Sequence, residues 1–203
     1  MLNINLYSCF NHWKHFNNIW LYSDPHFNDP DAKYYRKDYP GDDEQVKLIN
    51  SKVGRKDLII FLGDIGDINY IRRVRGYKVL IQGNHDVGAS NYLKSTTYSI
   101  DKNSKLHGVD NGLFDEVYEG PLIINEKIIL SHEYLDIPYL FNIHCHHHSK
   151  LAEENGLNCC AEHLNYQPIS LKSVINSGAL KNIISIHRET INKATERKLK
   201  KAK

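Results

Sequence analysis

Five short apolar runs along the chain each lead into residues that carry polar ligand atoms. Their apolar positions are continuous rather than alternating, which is typical of strands buried on both faces. The runs are NIWLYSDPH (18–26), DLIIFLGDIGD (57–67), YKVLIQGNHD (77–86), EKIILSHEYL (126–135) and YLFNIHCHHHS (139–149). The first four stop at Asp24, Asp64, Asn84 and His132, and the fifth runs into a histidine tract. The pattern therefore predicts five buried strands with polar side chains at their ends.

Helical periodicity between these runs favours an α/β fold. Residues 42–56 place apolar side chains at positions 46, 48, 49 and 53, the spacing of an amphipathic helix. Residues 68–76 predict a second, short helix, and residues 90–100 are expected to begin as a helix. Near the end, residues 157–163 predict a strand, followed by a helix with Ser170 as its N-cap. Strands that alternate with helices are typical of α/β proteins.

Length and composition fit one globular domain with an appendage. The chain has 203 residues, of which 41% are hydrophobic and 25% charged. The net charge of +2 gives no general argument for nucleic-acid binding. Positive charge is concentrated in residues 187–203, which hold seven lysines or arginines and two glutamates. We predict a single domain over residues 1–186 and a basic tail over 187–203, which we interpret as a frayed helix end rather than a nucleic-acid anchor.

The cysteines and the apolar runs predict a cytoplasmic protein. Cys9, Cys145, Cys159 and Cys160 show no CxxC spacing, so we expect reduced thiols. No apolar run reaches the roughly 18 residues of a membrane span. The first twenty residues also lack the charged and apolar segments of a signal peptide. We therefore expect the cytoplasm, or the host cytoplasm for a viral protein, and no membrane partner.

The polar side chains at the strand ends are expected to form a metal site. Ligands of an open α/β sheet bind at the carboxyl ends of its strands, where these side chains would meet. The candidates are Asp24, His26, Asp64, Asn84, His132 and two histidines from the tract 144–148. This mixed oxygen and nitrogen set suits Mn²⁺, Fe²⁺, Zn²⁺ or Ni²⁺ better than Ca²⁺. Seven ligands are too many for one tetrahedral zinc and fit two ions that share a carboxylate.

The histidine tract leaves two registers open. Side chains two residues apart share a face of an extended chain. The ligand pair is therefore either His144 with His146 or His146 with His148. His146 belongs to both registers.

Taken in order, these residues resemble the calcineurin-like metallophosphoesterases, and among them the small bacterial and phage members. The family pattern is DxH, GDxxD, GNH followed by Asp or Glu, a lone His, and GHxH. The matching segments are DPH (24–26), GDIGD (63–67), GNHD (83–86), SH (131–132) and CHHH (145–148). The resemblance spans about residues 18–170. It departs from the pattern at Cys145, where the family has a glycine, a residue that permits unusual backbone angles.

The resemblance implies an αββα sandwich of two mixed β-sheets flanked by helices, with a binuclear metal site at the C-terminal ends of strands. It favours the second histidine register and leaves His144 as a neighbour of the site. The implied metal ligands are Asp24, His26, Asp64, Asn84, His132, His146 and His148. Asp64 would bridge the two ions, because a carboxylate has two oxygens to share.

The resemblance also implies hydrolysis of phosphoric esters. A hydroxide that bridges the two ions would attack phosphorus in line. His85 would act as general acid or stabilise phosphoryl charge, and Asp86 would orient its ring. We expect two Mn²⁺ ions, with Fe, Ni, Zn or Mg as alternatives. The expected substrate is a small phosphoester or nucleotide, with a diester preferred over a monoester and nucleic acid not favoured by the net charge.

The competing interpretation is a metal-binding scaffold without catalysis on the same fold. Loss of Asp64, Asn84 or His85 would favour the scaffold, and all three are present. Further expectations concern residues around the motifs. Asp67 is expected to support the fold, and His163 to lie on a strand beside the site. The long loop 28–43 is interpreted as a solvated loop, with Arg36, Lys37 and Tyr34 as the alternative candidates for substrate contact, and Asn28 is a further candidate near the site.

Overall fold

The computed structural model describes residues 5–100, 106–149 and 153–201, with the backbone alone for 97–100 and 106–109. Its strands are β1 (Ile19–Tyr22), β2 (Leu58–Phe61), β3 (Tyr77–Ile81), β4 (Thr96–Ile100), β5 (Leu106–Asp110), β6 (Glu116–Tyr118), β7 (Leu122–Ile123), β8 (Ile128–Leu130), β9 (Phe141–His144), β10 (Gly156–Asn158) and β11 (Ile169–Ser170). The α-helices are α1 (Ala32–Tyr35), α2 (Asp42–Lys52), α3 (Leu171–Asn176) and α4 (Ile186–Lys201). Short 3-10 helices cover Ser8–His15, Ile68–Arg73, Ala89–Tyr92 and Ala161–Leu164.

The strands form two mixed sheets and a separate hairpin. The larger sheet has the order β11-β1-β2-β3-β6, in which only β11 runs antiparallel to its neighbour. The second sheet has the order β10-β9-β8-β7, in which β7 is antiparallel. Strands β4 and β5 pair with each other. The expected α/β fold with two mixed sheets and helices is therefore confirmed.

The five apolar runs of the sequence correspond to β1, β2, β3, β8 and β9. All four residues of β2 are buried, as its unbroken apolar sequence predicts. Leu58 and Ile60 of this strand belong to a core that includes Leu130 and Ile143 of the second sheet. Its alternate residues, Ile59 and Phe61, pack with residues of α2 instead. Each fully buried side chain of this kind contributes about 1.5–3 kcal/mol.

Several predicted elements differ from the structure in extent or type. Helix α2 ends at Lys52 rather than at 56, and the segment 68–76 forms only a six-residue 3-10 helix. The segment 90–100 ends as β4 after a 3-10 turn. The strand predicted over 157–163 was wrong beyond Asn158, whose side chain accepts a hydrogen bond from the Cys160 N–H and turns the chain. The predicted N-cap is confirmed, because the side chain of Ser170 accepts from the N–H of Ser173.

The basic tail begins within α4, and its last two residues, 202–203, lie outside the described part of the chain. No residue of α4 is buried among those that the structure describes. Residues 187–201 of the tail make up nearly all of α4, so this part of the tail is a helix of its own rather than the frayed end of one. Within the same described ranges, no helix has the length and apolar character needed to cross a membrane.

The loops that follow β2 and β3 approach each other through two glycines. Gly63 has a φ of +110°, which L side chains rarely adopt. A Cβ atom at Gly63 would lie 2.6 Å from the Cα of Gly83. Both loops carry predicted ligands, so this close approach brings the ends of two neighbouring strands together.

We expect Gly63→Ala to lower the free energy of unfolding by at least about 2 kcal/mol, because the added methyl group meets backbone atoms. Urea denaturation measures the change. The control is Gly120→Ala, whose Cβ would meet no atom within 4 Å, with an expected change below about 0.5 kcal/mol. Equal stabilities of the two variants would contradict the close approach.

Candidate metal centre

The loops after β1, β2, β3, β8 and β9 bring all seven predicted ligands into one connected group. Asp24, His26 and His148 form one triad, and Asp64, His132 and His146 form another. Within each triad the ligand atoms all lie within 4.8 Å of one another. Asn84 joins the second triad, since its Oδ1 lies 2.8 Å from His132 Nε2. The structure therefore gathers the residues as two adjacent sets of potential ligands.

The first triad surrounds a carboxylate that is completely buried. Asp24 is 0% exposed, and its Oδ1 lies 3.7 Å from His26 Nε2 and 3.8 Å from His148 Nε2. Among the described residues, Asp24 Oδ1 and His26 Nε2 are buried and have no hydrogen-bond partner. Buried polar atoms are nearly always satisfied, so these two indicate a site for a ligand. A divalent cation fits, because it would accept lone pairs from both atoms.

The second triad is centred on the other buried carboxylate. Asp64 Oδ2 lies 3.4 Å from His132 Nε2, which lies 3.2 Å from His146 Nδ1. Asp64 Oδ2 also lies 3.7 Å from His26 Nε2, a member of the first triad. Asp64 therefore stands between the two triads, the position that a bridging carboxylate would need. The donors are carboxylate oxygens, imidazole nitrogens and one amide oxygen, which together suit divalent transition metals.

The charges of these groups are strongly coupled. Burial opposes ionisation of Asp24, but His26 and the charges of His132 and His148 hold its pKa well below the ordinary value. Burial would lower the pKa of His132, yet the hydrogen bond and charge of Asp64, with the charge of Asp24, raise it to about 9. Without a metal, Asp64 and Asp24 thus favour the protonated form of His132.

Four of the predicted ligands adopt a left-handed backbone conformation although none is glycine. The φ angles are 48° at Asp24, 43° at His26, 53° at Asp64 and 71° at His146. Each such residue costs roughly 1–3 kcal/mol and persists only where its surroundings enforce it. Here the backbone N–H of His26 donates to the carbonyl of Asp64 at 3.1 Å, so one strained loop supports the other.

The unusual cysteine of the last motif does not need the glycine-like conformation. Cys145 has no positive φ, because His146 takes the left-handed position of the turn. The Cys145 Sγ is buried and donates to the carbonyl of Leu62 at 3.0 Å. A cysteine therefore fits this position without a left-handed backbone.

The histidine tract divides as the second register predicts. His146 and His148 point to the carboxylates, whereas His144 is buried on β9 with its ring 5.0 Å from that of Tyr134. His147 is exposed. The structure therefore brings His146 and His148 next to the carboxylates and leaves His144 outside both triads.

The carboxylate of Asp86 binds backbone N–H groups rather than the ring of His85. This carboxylate is buried and accepts from the backbone N–H groups of Gly83, Asp64 and Ile65 at 2.8–2.9 Å. Burial raises its pKa. The expectation that Asp86 orients the ring of His85 is wrong, since both oxygens tie the loop after β3 to the loop after β2. His85 instead donates its backbone N–H to Asp64 Oδ1 at 2.9 Å.

Other expectations about neighbouring residues have mixed outcomes. Asp67 supports the fold as predicted, because its carboxylate caps a 3-10 helix by accepting from the N–H of Asn69 at 3.0 Å. His163 lies on a 3-10 helix instead of a strand, with Nε2 near the carbonyl of His147. Tyr34 is exposed and Asn28 lines the cleft at the site.

Arg36, one of the alternative candidates for a phosphate contact, is buried and makes its contacts inside the protein. Its buried guanidinium donates to the carbonyl of Asp24 at 2.6 Å and to Glu162 at 2.8 Å. Glu162 was not predicted and also accepts a hydrogen bond from His148 Nδ1. Burial would raise the pKa of Glu162, but His148 and Arg36 lower it to about 2. No local pattern in the sequence marks this glutamate, which is separated from Arg36 by 126 positions.

A cleft of about 710 Å³ opens over the two triads. His26, His85, His146 and His148 line its floor and walls together with Asp64. Its remaining lining residues are Phe27, Asn28, Asp29, Tyr35, Gly66 and Asp67. Within the described parts of the chain, no lysine or arginine lines this cleft. Any positive charge for an anionic ligand would therefore come from histidines or from bound cations.

A comparison with solved structures finds a similar fold. The protein of unknown function AQ665 from Aquifex aeolicus matches with a TM-score of 0.57 and 20% sequence identity. The match covers 79% of this chain and 98% of that chain. At this identity the likeness supports the α/β fold alone. No family model and no curated protein matches the chain.

We expect Asp86→Ala to lower the free energy of unfolding of the metal-free protein by at least about 3 kcal/mol, because three buried N–H groups lose their acceptor. Asp67→Ala is the matched control and should cost about 1 kcal/mol, the usual effect of removing a helix cap. Urea unfolding in the presence of a chelator measures both. A smaller loss for Asp86→Ala than for Asp67→Ala would contradict the role given to Asp86.

Proposed function

We propose that this chain is a calcineurin-like metallophosphoesterase with an αββα arrangement, and that it hydrolyses phosphodiester bonds with two divalent ions, of which Mn²⁺ is the first candidate. The observation that carries the proposal is the pair of adjacent triads joined by Asp64. In the first triad, two buried polar atoms have no hydrogen-bond partner. A histidine cluster with a purely structural role would be expected to pair its buried polar atoms, so these atoms favour a bound cation.

The donor sets assign the residues to two metal positions. Asp24, His26 and His148 would hold one ion, and the second triad with Asn84 would hold the other. Asp64 would contribute to both. Ions in such positions offset the charge of phosphoryl oxygens and lower the pKa of a bound water.

His85 is the best candidate for a general acid. It belongs to neither triad, and its ring lines the cleft with its centroid 5.7 Å from that of His26. A positioned imidazole outside the metal ligands is suited to donate a proton to a leaving oxygen. The contact of His85 with Asp64 is made by its backbone N–H and does not use the ring nitrogens.

The charge of the cleft supports a diester rather than a monoester or a long nucleic acid. A monoester carries up to two negative charges, and no described lysine or arginine lines the cleft to meet them. Asp29 and Asp67 add negative charge to the rim, which opposes a polyanion. A small diester carries one negative charge and therefore needs the least positive charge from the cleft.

We expect hydrolysis of bis-p-nitrophenyl phosphate that depends on added metal and exceeds hydrolysis of p-nitrophenyl phosphate. The assay compares Mn²⁺, Ni²⁺, Zn²⁺ and Mg²⁺. His146→Ala should lower kcat/KM by about 100-fold or more, because loss of a ligand exceeds the usual effect of losing a residue that supports one. The matched control His147→Ala removes an exposed neighbour and should stay within about twofold of the wild type.

Metal binding without turnover of either ester would contradict the enzyme and support a metal-binding scaffold. Equal losses in His146→Ala and His147→Ala would contradict the assignment of ligands within the tract.

We expect His85→Ala to lower kcat by about 10²–10⁴-fold, the usual contribution of a general acid. The variant should still bind two metal ions per chain, since His85 lies in neither triad. Elemental analysis after gel filtration measures the metal content beside the activity. Loss of metal in parallel with activity would show that His85 acts as a ligand instead.

A further inference from the structure

Arg36 and Glu162 form a buried ion pair directly behind the first triad. The side chains of Arg36 and Glu162 are 0% and 5% exposed, and Nη2 of the arginine lies 2.8 Å from Oε2 of the glutamate. The same Nη2 donates to the backbone carbonyl of Asp24 at 2.6 Å, and Nη1 donates to that of Pro25 at 2.7 Å. The guanidinium thus holds the backbone of a candidate ligand.

Glu162 extends the ion pair to a second ligand of the same triad. Its Oε1 accepts a hydrogen bond from Nδ1 of His148. The Nε2 of that histidine faces Asp24 Oδ1 at 3.8 Å. Contacts therefore run from Arg36 through Glu162 and His148 to Asp24, and return to Arg36 through the Asp24 carbonyl. This closed chain joins segments that are far apart in the sequence.

The hydrogen bond to Glu162 selects the form of His148 that can bind a metal. An ionised carboxylate only accepts, so Nδ1 must carry the proton. In the neutral ring, Nε2 then carries the lone pair and is the nitrogen that can bind a metal. The carboxylate also makes the imidazole a stronger donor than a neutral acceptor would.

The second triad has separate supports. Nδ1 of His132 lies 2.8 Å from the backbone carbonyl of Leu62. The loop of Asp64 is held by Asp86 through its backbone N–H. Among the described residues, the side-chain hydrogen bonds of Arg36 and Glu162 reach, apart from each other, only the loop of Asp24 and His148. The two positions share Asp64 and are joined where the His146 N–H donates to Asp24 Oδ2 at 3.3 Å, but the ion pair itself contacts residues of the first position alone.

We propose that Arg36 and Glu162 are positioning residues that set the metal affinity of the Asp24–His26–His148 position independently of the other position. The proposal rests on the proposed function in that both positions bind a divalent ion. It adds that one position can be weakened alone, by changing residues that touch no metal.

The substitution Glu162→Gln tests the chemistry with little change in shape. Its amide oxygen can still accept from Arg36, which turns the NH₂ group toward Nδ1 of His148. Nδ1 must then accept, the ring proton moves to Nε2, and the lone pair for the metal is lost. Arg36→Lys keeps the charge but removes the forked contacts to two carbonyls and a carboxylate.

Mn²⁺ titrations by calorimetry and by electron paramagnetic resonance measure the two positions. The wild type should bind two ions and give the spectrum of a spin-coupled pair. Glu162→Gln and Arg36→Lys should bind one ion with unchanged affinity and the second about 10–100-fold more weakly, with the six-line spectrum of isolated Mn²⁺ at one equivalent. Glu154→Gln, an exposed glutamate, is the matched control and should behave as the wild type.

Circular dichroism of the metal-free variants checks that they fold. Removing one member of a buried ion pair can unfold a protein by leaving the other charge unpaired. The double variant Arg36→Met with Glu162→Gln removes both charges and should show the same selective weakening if a single variant does not fold.

The outcomes separate the two proposals. A wild type that binds no divalent ion would overturn both. Two ions bound by the folded variants with wild-type affinity would overturn this inference and leave the proposed function intact. Equal weakening of both positions would also overturn it, because the ion pair would then act on the whole site.

Discussion

The burial of two aspartates at one sheet edge is the constraint on which the rest of the structure depends. Asp24 and Asp64 are 0% and 2% exposed, and each raises the electrostatic cost of ionising the other. Desolvating a carboxylate costs several kcal/mol, which only nearby positive charge and hydrogen bonds offset. The surrounding histidines and the backbone N–H groups offset this desolvation cost, and the close approach of the glycine loops brings these groups near the carboxylates. Two divalent ions would offset the cost more fully.

The two sheets contribute different side chains to the offset of this desolvation cost. The parallel strands of the first sheet end in the carboxylates, while the second sheet supplies His132, His146 and His148 across the shared core. Loops from one sheet reach the other through contacts such as the Cys145 thiol with the Leu62 carbonyl. Because the strands are rigid and packed on both faces, their ends hold the strained left-handed residues in place.

The sequence predicted the parts of the molecule that local pattern determines. Unbroken apolar runs identified β1, β2, β3, β8 and β9, and their polar ends identified the residues that the structure gathers into the two triads. Short strands such as β6 and β7 were missed because two or three residues carry no periodicity. Arg36 and Glu162 were missed as partners because their role arises from contacts between distant segments. Asp86 was misassigned because adjacency to His85 in the sequence says nothing about where a carboxylate points.

The pairing of β1 with β11 makes the fold depend on its last strand. Trp20 lies opposite Ser170, so the edge of the larger sheet closes only when most of the chain exists. Contacts of such long sequence separation form late and slowly. During synthesis, the edge of β1 that pairs with β11 would remain unpaired until more than a hundred further residues have emerged from the ribosome. A shortened chain that lacks β11 would therefore leave that edge of β1 without its partner.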